Sequence, residues 1–388
     1  MIPIRYNLRS LTRRRVTTLA TAVGIALVVF VLAAARMLSA GIRETLASSG
    51  NEGVAIVLRK GSDSELASVI EQPSIAQIAA VEGVDPGVNG SPAVSAELVV
   101  VSGLQRAGGE GLATVTLRGV PEGAFALRSG LSVVEGRMPR PGTSEVAVGQ
   151  RLRGRFQGLE LGGSFELRKG RPVTVVGVFA DGGSAYESEV WADLDAVQSA
   201  FGRAGLVSAI RVRLAPGTDV GALNARLLAD RRLGVEAQQE RDYYERQSEG
   251  SSAFVEGMGT LMAVFFAAAA ILGAMITMNA TIASRRREIG TLRALGFGRV
   301  SIVLSLVLEA CVLALVGGGV GALASLALGF VRIPMLSASS FAEVVFALQP
   351  TPGAIAGAMA AALGVGLLGG LVPALRAARI PAITAMRE

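Results

Sequence analysis

Four long apolar stretches divide the chain, and each one has the length of a transmembrane helix. A helix rises about 1.5 Å per residue and the hydrocarbon core of a bilayer is about 30 Å thick, so a span needs about 20 apolar residues. The stretches that meet this requirement are 16–35, 257–283, 300–330 and 355–372. The third of them contains one charged residue, Glu309. The pattern predicts an integral membrane protein with four transmembrane α-helices.

The segment between the first and second spans, 36–256, has the mixed pattern of a separately folded α+β domain. Alternating or Val- and Leu-rich runs predict strands at 54–58, 98–102, 114–118, 173–179 and 207–214. N-cap and stop residues bound predicted helices at 193–201 and 220–230. We therefore expect a large domain with its own core, inserted between two spans, with a middle lobe near 95–190.

Both ends of this domain are predicted to be helical. Residues 36–46 continue the first span as an amphipathic helix, and the charged segment 240–252 leads into the second span. These two segments are predicted to be stalks that extend the membrane helices beyond the bilayer. The alternative is that they are simple connectors.

The positions of the arginines predict the orientation in the membrane. Five arginines precede the first span and five lie in 284–299, whereas the loop 331–354 has only Arg332. Because arginine-rich flanks stay in the cytoplasm, we expect both termini inside, with 36–256 and 331–354 outside. The tail 373–388 is then cytoplasmic.

Two readings compete for the beginning of the chain. The first apolar stretch, with its basic start, resembles a signal peptide, but its apolar run is longer than is usual for one. A retained first span is therefore preferred. Residues 1–15 are predicted to be a cytoplasmic amphipathic segment, in which 2–11 form a short helix on the inner leaflet, with a disordered basic tail as the alternative.

Composition excludes several classes of function. Of the 388 residues 51% are hydrophobic, and the chain has no histidine and one cysteine, Cys311. Serine–histidine triads, cysteine–histidine dyads, histidine metal sites and intrachain disulfides are excluded, so no catalytic residue and no metal site are assigned. The net charge of +6 follows the membrane topology, so no nucleic-acid partner is predicted.

Neither of the two lysines of the chain lies in a nucleotide-binding motif. A P-loop requires G-x-x-x-x-G-K-[ST], because its lysine and backbone amides hold the phosphates. Lys60 and Lys169 are each followed by glycine and lack this context. We expect no cofactor on this chain, and an ATP-driven process would need ATP and Mg²⁺ on another polypeptide.

The most specific motif joins the second and third spans. Residues 285–297 read RRREIGTLRALGF. This segment resembles the cytoplasmic coupling segment of FtsX-like, MacB-type permeases of ABC transporters. The resemblance extends to the first span at 7–9, 13–15 and 24–26, to the third span at 308–310 and 317–321, and to the tail at 373–381. In the domain between the first two spans, it includes 135–137, 145–148 and 173–179, which resemble the family's periplasmic core.

The resemblance implies a permease subunit of an ATP-driven transporter in the bacterial inner membrane, not an enzyme itself. Its expected partners are a separate ATPase, a second permease copy in a homodimer or heterodimer, membrane lipids, and a periplasmic adaptor or lipoprotein carrier. Members of the family transmit ATP-driven motion through the spans to a periplasmic domain, for export or for lipid and lipoprotein extraction. The alternative function is a regulatory scaffold that activates a periplasmic partner such as a cell-wall hydrolase.

The resemblance assigns the coupling role to nine consecutive residues. Glu288 and Arg293 are expected to form ion pairs with the ATPase, while Gly290 and Gly296 allow close approach and a turn. The complete set is Glu288, Ile289, Gly290, Thr291, Leu292, Arg293, Ala294, Leu295 and Gly296.

Polar and small residues inside the spans form a second candidate set. An ionisable residue within a span is a functional candidate by default, although for Glu309 a structural role is preferred. A proton or ion path would need polar partners, and Asn279 is one of the few that the spans offer. Glycines with small-xxx-small spacing are expected to mediate helix packing or dimerisation. They are Gly317 and Gly321, Gly353 and Gly357, and Gly366 and Gly370.

Overall fold

The computed structural model describes residues 15–87, 92–109, 111–337 and 339–379. Within these ranges, four helices are long and apolar enough to cross a membrane. They are α1 (Arg15–Ala47), α5 (Glu240–Ser284), α7 (Arg299–Leu326) and α8 (Pro352–Ala378). The predicted amphipathic helix before residue 15 and the end of the tail after residue 379 lie outside the described residues.

Helices α1 and α5 are longer than a bilayer requires. Helix α5 has 45 residues and α1 has 33, which at 1.5 Å per residue gives roughly 68 Å and 50 Å. The segments 36–46 and 240–252 are therefore helical and continuous with their spans. No helix break separates the stalk from the span in either element.

The chain divides into two compact units. One consists of 1–40, 252–331 and 347–388, and the other of 41–251 and 332–346. The first unit, here called the membrane unit, contains the span portions of the four long helices. The second, here called the outer unit, contains the sheet described below.

Glycines in the membrane unit allow close helix packing. A Cβ atom on Gly317 would lie 2.6 Å from the Ala22 carbonyl oxygen of α1, and Gly321 lies in the same way against Ala26. Gly366 and Gly370 lie against Ala310 and Ala314 of α7. Helix α7 therefore packs closely on the backbone of α1, and α8 packs closely on small alanine residues of α7.

The remaining glycine pair behaves differently. A Cβ atom on Gly353 would meet no atom within 4 Å among the described residues, while one on Gly357 would overlap the guanidinium of Arg36. Gly357 thus faces a side chain of α1 rather than the backbone of another helix.

A sheet of ten strands organises the outer unit. Its order is β12-β1-β11-β3-β4-β9-β6-β8-β5, with β7 pairing β8. The strands are β1 (Val54–Arg59), β3 (Val94–Gln105), β4 (Leu112–Val120), β5 (Leu131–Gly136), β6 (Glu145–Gly149), β7 (Ser164–Arg168), β8 (Arg171–Asp181), β9 (Glu189–Asp193), β11 (Ala209–Arg213) and β12 (Val235–Gln239). A two-stranded sheet pairs β2 (Ile70–Glu71) with β10 (Leu206–Val207).

The long strand β3 connects two hydrophobic cores. Its beginning packs with β1, β11 and α4 (Val220–Ala229), and its end packs with β4, β6, β8 and α3 (Leu194–Phe201). A short helix, α2 (Pro73–Ala79), lies between β2 and β3 in sequence. The outer unit is an α+β domain with two cores, and the second core corresponds to the predicted middle lobe.

Local signals in the sequence predicted several of these elements. The Asp193 carboxylate accepts a hydrogen bond from the Ala196 amide, and Gly202 ends α3 with φ +64°, so both predicted boundaries of this helix are confirmed. The predicted strand 207–214 is in fact two strands, because Ser208 interrupts it. The Ser208 hydroxyl bonds the Val99 backbone across the sheet at 3.0 Å, and β10 turns away to pair with β2.

A hairpin between α7 and α8 belongs to the outer unit. Its strands are β13 (Arg332–Leu336) and β14 (Glu343–Ala347). The sequence indicated only a short loop here. The outer unit is therefore built from two separated parts of the chain.

Candidate coupling sites

The segment between α5 and α7 forms a short helix, α6 (Arg286–Ala294). Ile289 and Gly290 are buried, and Ile289 packs with Met278, Ile302 and Leu306 of α5 and α7. Glu288 and Leu295 are exposed, Leu295 to 72%. One face of α6 is thus fixed to the membrane unit and the other is open to a partner.

Gly290 and Gly296 have different positions. Gly290 lies on the buried face, so it is not available for close approach of another protein. Gly296 follows the helix with φ +95°, a conformation that glycine adopts without strain, and the Phe297 amide bonds back to the Leu292 carbonyl at 3.1 Å. Gly296 therefore permits the turn that leads into α7.

Arg285 connects α6 to the interior of the third span. Its Nε lies 2.9 Å from Glu288 Oε2, and its Nη1 lies 3.2 Å from Glu309 Oε2. Glu309 is buried, and the Arg285 side chain is only 16% exposed. Glu309, which sequence analysis left with an undefined structural role, is thus one end of a bridge that begins on α6. We call Glu288, Arg285 and Glu309 the coupling bridge.

A cavity of about 70 Å³ adjoins the coupling bridge. Its polar lining is supplied by Arg285, Glu309 and threonine hydroxyls of α1 and α5, and Thr21 Oγ1 lies 3.1 Å from Thr277 Oγ1. Thr281 also lines this space, whereas Asn279 is exposed and does not. The space between the helices is large enough for water, and it is polar only near the bridge.

The outer unit contains a cluster of buried charges where the stalks meet the sheet. Three arginines and four glutamates are all less than 10% exposed. We call this cluster the stalk-base network, and its members are Arg118, Arg128, Arg211, Glu65, Glu97, Glu189 and Glu240.

Arg118 and Arg211 are the centres of the stalk-base network. Arg118 donates from Nε to Glu189 Oε2 at 2.7 Å and from Nη1 to Glu65 Oε1 at 2.8 Å. Arg211 donates from Nη1 to Glu97 Oε2 at 2.8 Å and from Nε to Glu240 Oε1 at 2.6 Å. Each guanidinium therefore binds carboxylates from several separate elements, the arrangement for which its fork of donors is suited.

This network ties both stalks to the sheet. Glu240 is the first residue of α5, and its Oε2 accepts a hydrogen bond from the Asn51 amide, four residues after the end of α1, at 3.1 Å. Tyr244, in the next turn of α5, accepts a hydrogen bond from Arg211 Nη2 at 3.1 Å. Movement of the base of either stalk must displace these buried groups.

Burial and charge pairing act in opposite directions on the carboxylates. Burial alone would raise the pKa of Glu97, but Arg128, Arg211 and Arg118 outweigh it and lower the pKa to about 2. The pKa of Glu65 is likewise lowered by Arg118 and Arg211 in spite of burial. Both residues are ionised throughout the physiological range.

Sequence reasoning missed the network, although a signal exists in the strand alternation. In β3 the residues Ala96 and Leu98 face the hydrophobic cores, and Glu97 faces the other side of the sheet. Arg118 and Arg211 occupy the same non-core parity in β4 and β11. Such residues normally indicate a solvated face. Here the first turns of α5 and the aromatic residues Tyr186 and Trp191 cover that face.

We expect the outer unit to lose stability as the pH falls from about 4.5 to about 2. The folded pKa of Glu97 is about 2, below its usual value of 4.5. Its contribution is complete above the unfolded pKa and is lost as the pH falls through the folded pKa. Burial raises the pKa of Asp181, which opposes this trend in part. Urea unfolding at pH 7, 4 and 3, followed by the fluorescence of the single tryptophan, Trp191, measures the effect.

The control for this acid dependence is Glu97→Gln, which cannot titrate. Its unfolding midpoint should fall less between pH 7 and pH 3 than that of the wild type. Equal slopes for the two proteins would assign the acid sensitivity to other groups.

The hairpin of β13 and β14 is fixed to the sheet by a second set of contacts, which are partly buried. Glu343 Oε1 lies 2.8 Å from Arg155 Nη2 and 3.2 Å from Arg106 Nη2. The Val345 carbonyl accepts a hydrogen bond from Arg151 Nη1 at 2.6 Å, and the Val345 amide donates to Ser188 Oγ. We call these contacts the hairpin clamp. The outer unit thus has three connections to membrane helices, through α1, through α5 and through the hairpin.

Comparison with protein families decides the relationship. Residues 16–229 match the MacB-like periplasmic core domain, and residues 260–382 match the FtsX-like permease C-terminal domain. The chain belongs to the MacB- and FtsX-type permease family of ABC transporters. The predicted family and fold class are thereby confirmed, and this permease has the family's periplasmic-type domain between its first and second apolar helices.

Individual relatives are distant. The permease is 25% identical over 409 residues to the macrolide export ATP-binding/permease protein MacB of Neisseria gonorrhoeae, a match that covers 99% of this chain and 59% of that protein. It is 37% identical over 115 residues to the pyoverdine export ATP-binding/permease protein PvdT of Pseudomonas fluorescens, covering 30% of the chain and 16% of that protein. The permease therefore spans about 59% of the length of the MacB protein of Neisseria gonorrhoeae.

Two solved structures that are similar to this permease are of domains outside the membrane. The periplasmic region of MacB from Actinobacillus actinomycetemcomitans matches with 14% identity and a TM-score of 0.37, over 49% of this chain and 90% of that one. The extracellular domain of the ABC-type transporter YknZ from Gram-positive bacteria matches with 20% identity and a TM-score of 0.35, over 48% and 99%.

Proposed function

We propose that this permease couples a separate cytoplasmic ATPase to movement of its outer unit, for export or for extraction of lipids or lipoproteins at the outer face of the inner membrane. The observation that supports this proposal is the coupling bridge, in which one arginine contacts both the exposed face of α6 and a buried glutamate of the third span. The ATPase docks on α6, and its motion passes through the bridge into the span helices.

The proposed route continues through the stalks. Helices α1 and α5 run without interruption from the span to the stalk-base network. Because the charges there are buried and paired with several elements, a shift of either helix is carried to the sheet rather than absorbed at a flexible joint. Mechanical transmission requires this kind of stiff connection.

The proposed topology places α6 in the cytoplasm and the outer unit outside it. The arginine-rich flanks favour this orientation. Support also comes from the hairpin clamp, since 332–346 and 41–251 form one compact unit and must lie on the same side of the membrane. An even number of crossings then puts both termini on the other side.

Site-specific photo-crosslinking tests docking and topology together. A crosslinker at Leu295, which is 72% exposed beside α6, should capture the ATPase in cells that express both proteins. A crosslinker at Lys169, which is exposed in the outer unit, is the matched control and should not capture it. The permease purified without its partner should hydrolyse no ATP. Capture at Lys169 with none at Leu295 would invert the topology and remove the proposal.

A further inference from the structure

Arg36 is the first charged residue after the apolar part of α1. The preceding apolar stretch, 16–35, spans about 30 Å as a helix, which is the thickness of the hydrocarbon core. Arg36 therefore lies at the headgroup level of the leaflet opposite Arg15. Gly357 lies near the beginning of α8, so the two residues meet where both helices enter the bilayer on the same side.

The guanidinium of Arg36 occupies a notch in α8. A Cβ atom on Gly357 would lie 3.0 Å from Arg36 Cζ and would overlap Nη1, so a larger residue here would force the guanidinium out of its present position. Glycine inside a helix is otherwise unfavourable, because it gives the unfolded chain more freedom. A Cβ atom on Gly353, one turn earlier on α8, would contact no atom of the described residues within 4 Å.

The notch holds the guanidinium but gives its Nε no acceptor. Arg36 Nε is buried and has no hydrogen-bond partner among the described residues. The nearby acidic residue of α5, Glu256, accepts a hydrogen bond from Ser39, one turn further along α1, at 3.5 Å. A buried donor without a partner is costly, and more so in a medium of low dielectric constant. Arg36 as a whole is only partly buried, so an external group can reach other atoms of this side chain, although not Nε itself.

We propose that Arg36, held in the Gly357 notch, binds the phosphate of a phospholipid in the leaflet on the side of the outer unit. A guanidinium binds a phosphate through two parallel hydrogen bonds, and phosphates are the most abundant anions at this depth of the membrane. Ala356 and Ala360 of α8 are exposed on either side of Gly357 in the sequence, and this apolar surface favours a lipid over a free phosphate. The name of the leaflet rests on the proposed topology, while the phosphate contact does not.

Native mass spectrometry of the full chain in detergent tests the site with defined lipids. Phosphatidylglycerol should bind the wild type, while Arg36→Gln and Gly357→Ala should each weaken binding by roughly tenfold, the size expected for losing a charge-assisted hydrogen bond. Gly353→Ala is the matched control, because it makes the same change one turn away in open space, and it should bind like the wild type. Circular dichroism and thermal melting establish that the variants are folded.

A second measurement uses only the wild type and so does not depend on folding of the variants. Diacylglycerol with the same acyl chains lacks the phosphate and should bind at least about tenfold more weakly than phosphatidylglycerol. Inorganic phosphate alone should not compete at equal concentration. Equal binding of diacylglycerol, or competition by inorganic phosphate, would overturn the lipid-phosphate assignment.

Two further results would also count against it. If Arg36→Gln and Gly357→Ala bind phosphatidylglycerol as the wild type does, the notch is not the site. If Arg36→Gln leaves lipid binding intact but dissociates a dimer, the partner of Arg36 is a carboxylate of a second copy. Neither result affects the docking of the ATPase on α6, which Leu295 crosslinking tests separately.

Discussion

Replacing Arg285 with glutamine should disconnect ATP hydrolysis from movement of the outer unit. The change removes the residue that contacts both Glu288 and Glu309 in the coupling bridge. It also leaves a buried carboxylate in the third span without this counter-charge, and breaking a buried ion pair costs about 3–5 kcal/mol. We expect α6 to keep its exposed face and its partner, while the spans no longer follow it.

The measurement is a distance between two spin labels in the reconstituted complex. After Cys311→Ser, labels at Leu295→Cys and Lys169→Cys report on α6 and on the outer unit. Addition of ATP should change the distance distribution with the wild-type bridge, and the change should be lost in Arg285→Gln and in Glu309→Gln, with the ATPase still co-purifying.

Two control variants distinguish a loss of coupling from a failure of the protein to fold and insert, and from a general loss of positive charge. Arg286→Gln removes a neighbouring positive charge outside the bridge and should keep the ATP-dependent change. The double variant Arg285→Gln with Glu309→Gln removes both charges, so its folding penalty should be smaller than the sum for the single variants. An undiminished distance change in both single variants would show that motion reaches the outer unit by another route.

Replacing Arg211 with alanine should strongly destabilise the outer unit. Arg211 is fully buried and pairs with Glu65, Glu97 and Glu240, so its loss removes a counter-charge from three buried carboxylates. The expected loss is about 3–5 kcal/mol. For a unit of this size each kcal/mol lowers the melting temperature by roughly 2–4 °C, which gives a shift of roughly 6–20 °C.

Trp191 provides a direct probe for this experiment. It is the single tryptophan of the chain, its Nε1 donates to Glu189 Oε2 at 2.8 Å, and Arg128 lies 4.8 Å from its ring centroid. Its emission therefore reports on the stalk-base network itself. The control is Arg232→Ala, because Arg232 pairs with Asp230 on the surface and should change stability by less than about 1 kcal/mol. A melting temperature unchanged by Arg211→Ala would show that the network does not hold the fold together.

Local patterns were sufficient to predict the spans, several strands and the helix α3. A span needs only a run of apolar residues, and α3 has its N-cap and its terminal glycine within ten residues of each other. Strands such as β5, β7 and β9 were missed because they are short and carry charged or small residues on one face. Their identity depends on partners in the sheet rather than on their own sequence.

The contacts that define the candidate sites were beyond prediction for a different reason. Arg285 and Glu309 are 24 residues apart, Arg211 and Glu65 are 146 apart, and Arg106 and Glu343 are 237 apart. A charged residue in a strand or span is equally consistent with a surface position, a cavity or a pair. Only the packing of distant segments selects among these outcomes, and glycine spacing likewise could not show that Gly357 faces Arg36.

The hairpin clamp also imposes an order on how this protein is made. Arg151 and Arg155 leave the ribosome roughly 190 residues before Glu343 and Val345, which complete their contacts, and Arg106 leaves it 237 residues before Glu343. Before the hairpin is made, the two membrane helices α5 and α7 must be synthesised and inserted into the bilayer. During translation the outer unit therefore exists for some time with exposed arginines where the hairpin will dock. The outer unit can be completed only if α7 has been inserted in the correct direction. Otherwise the hairpin would lie on the wrong side of the membrane and could not reach these arginines.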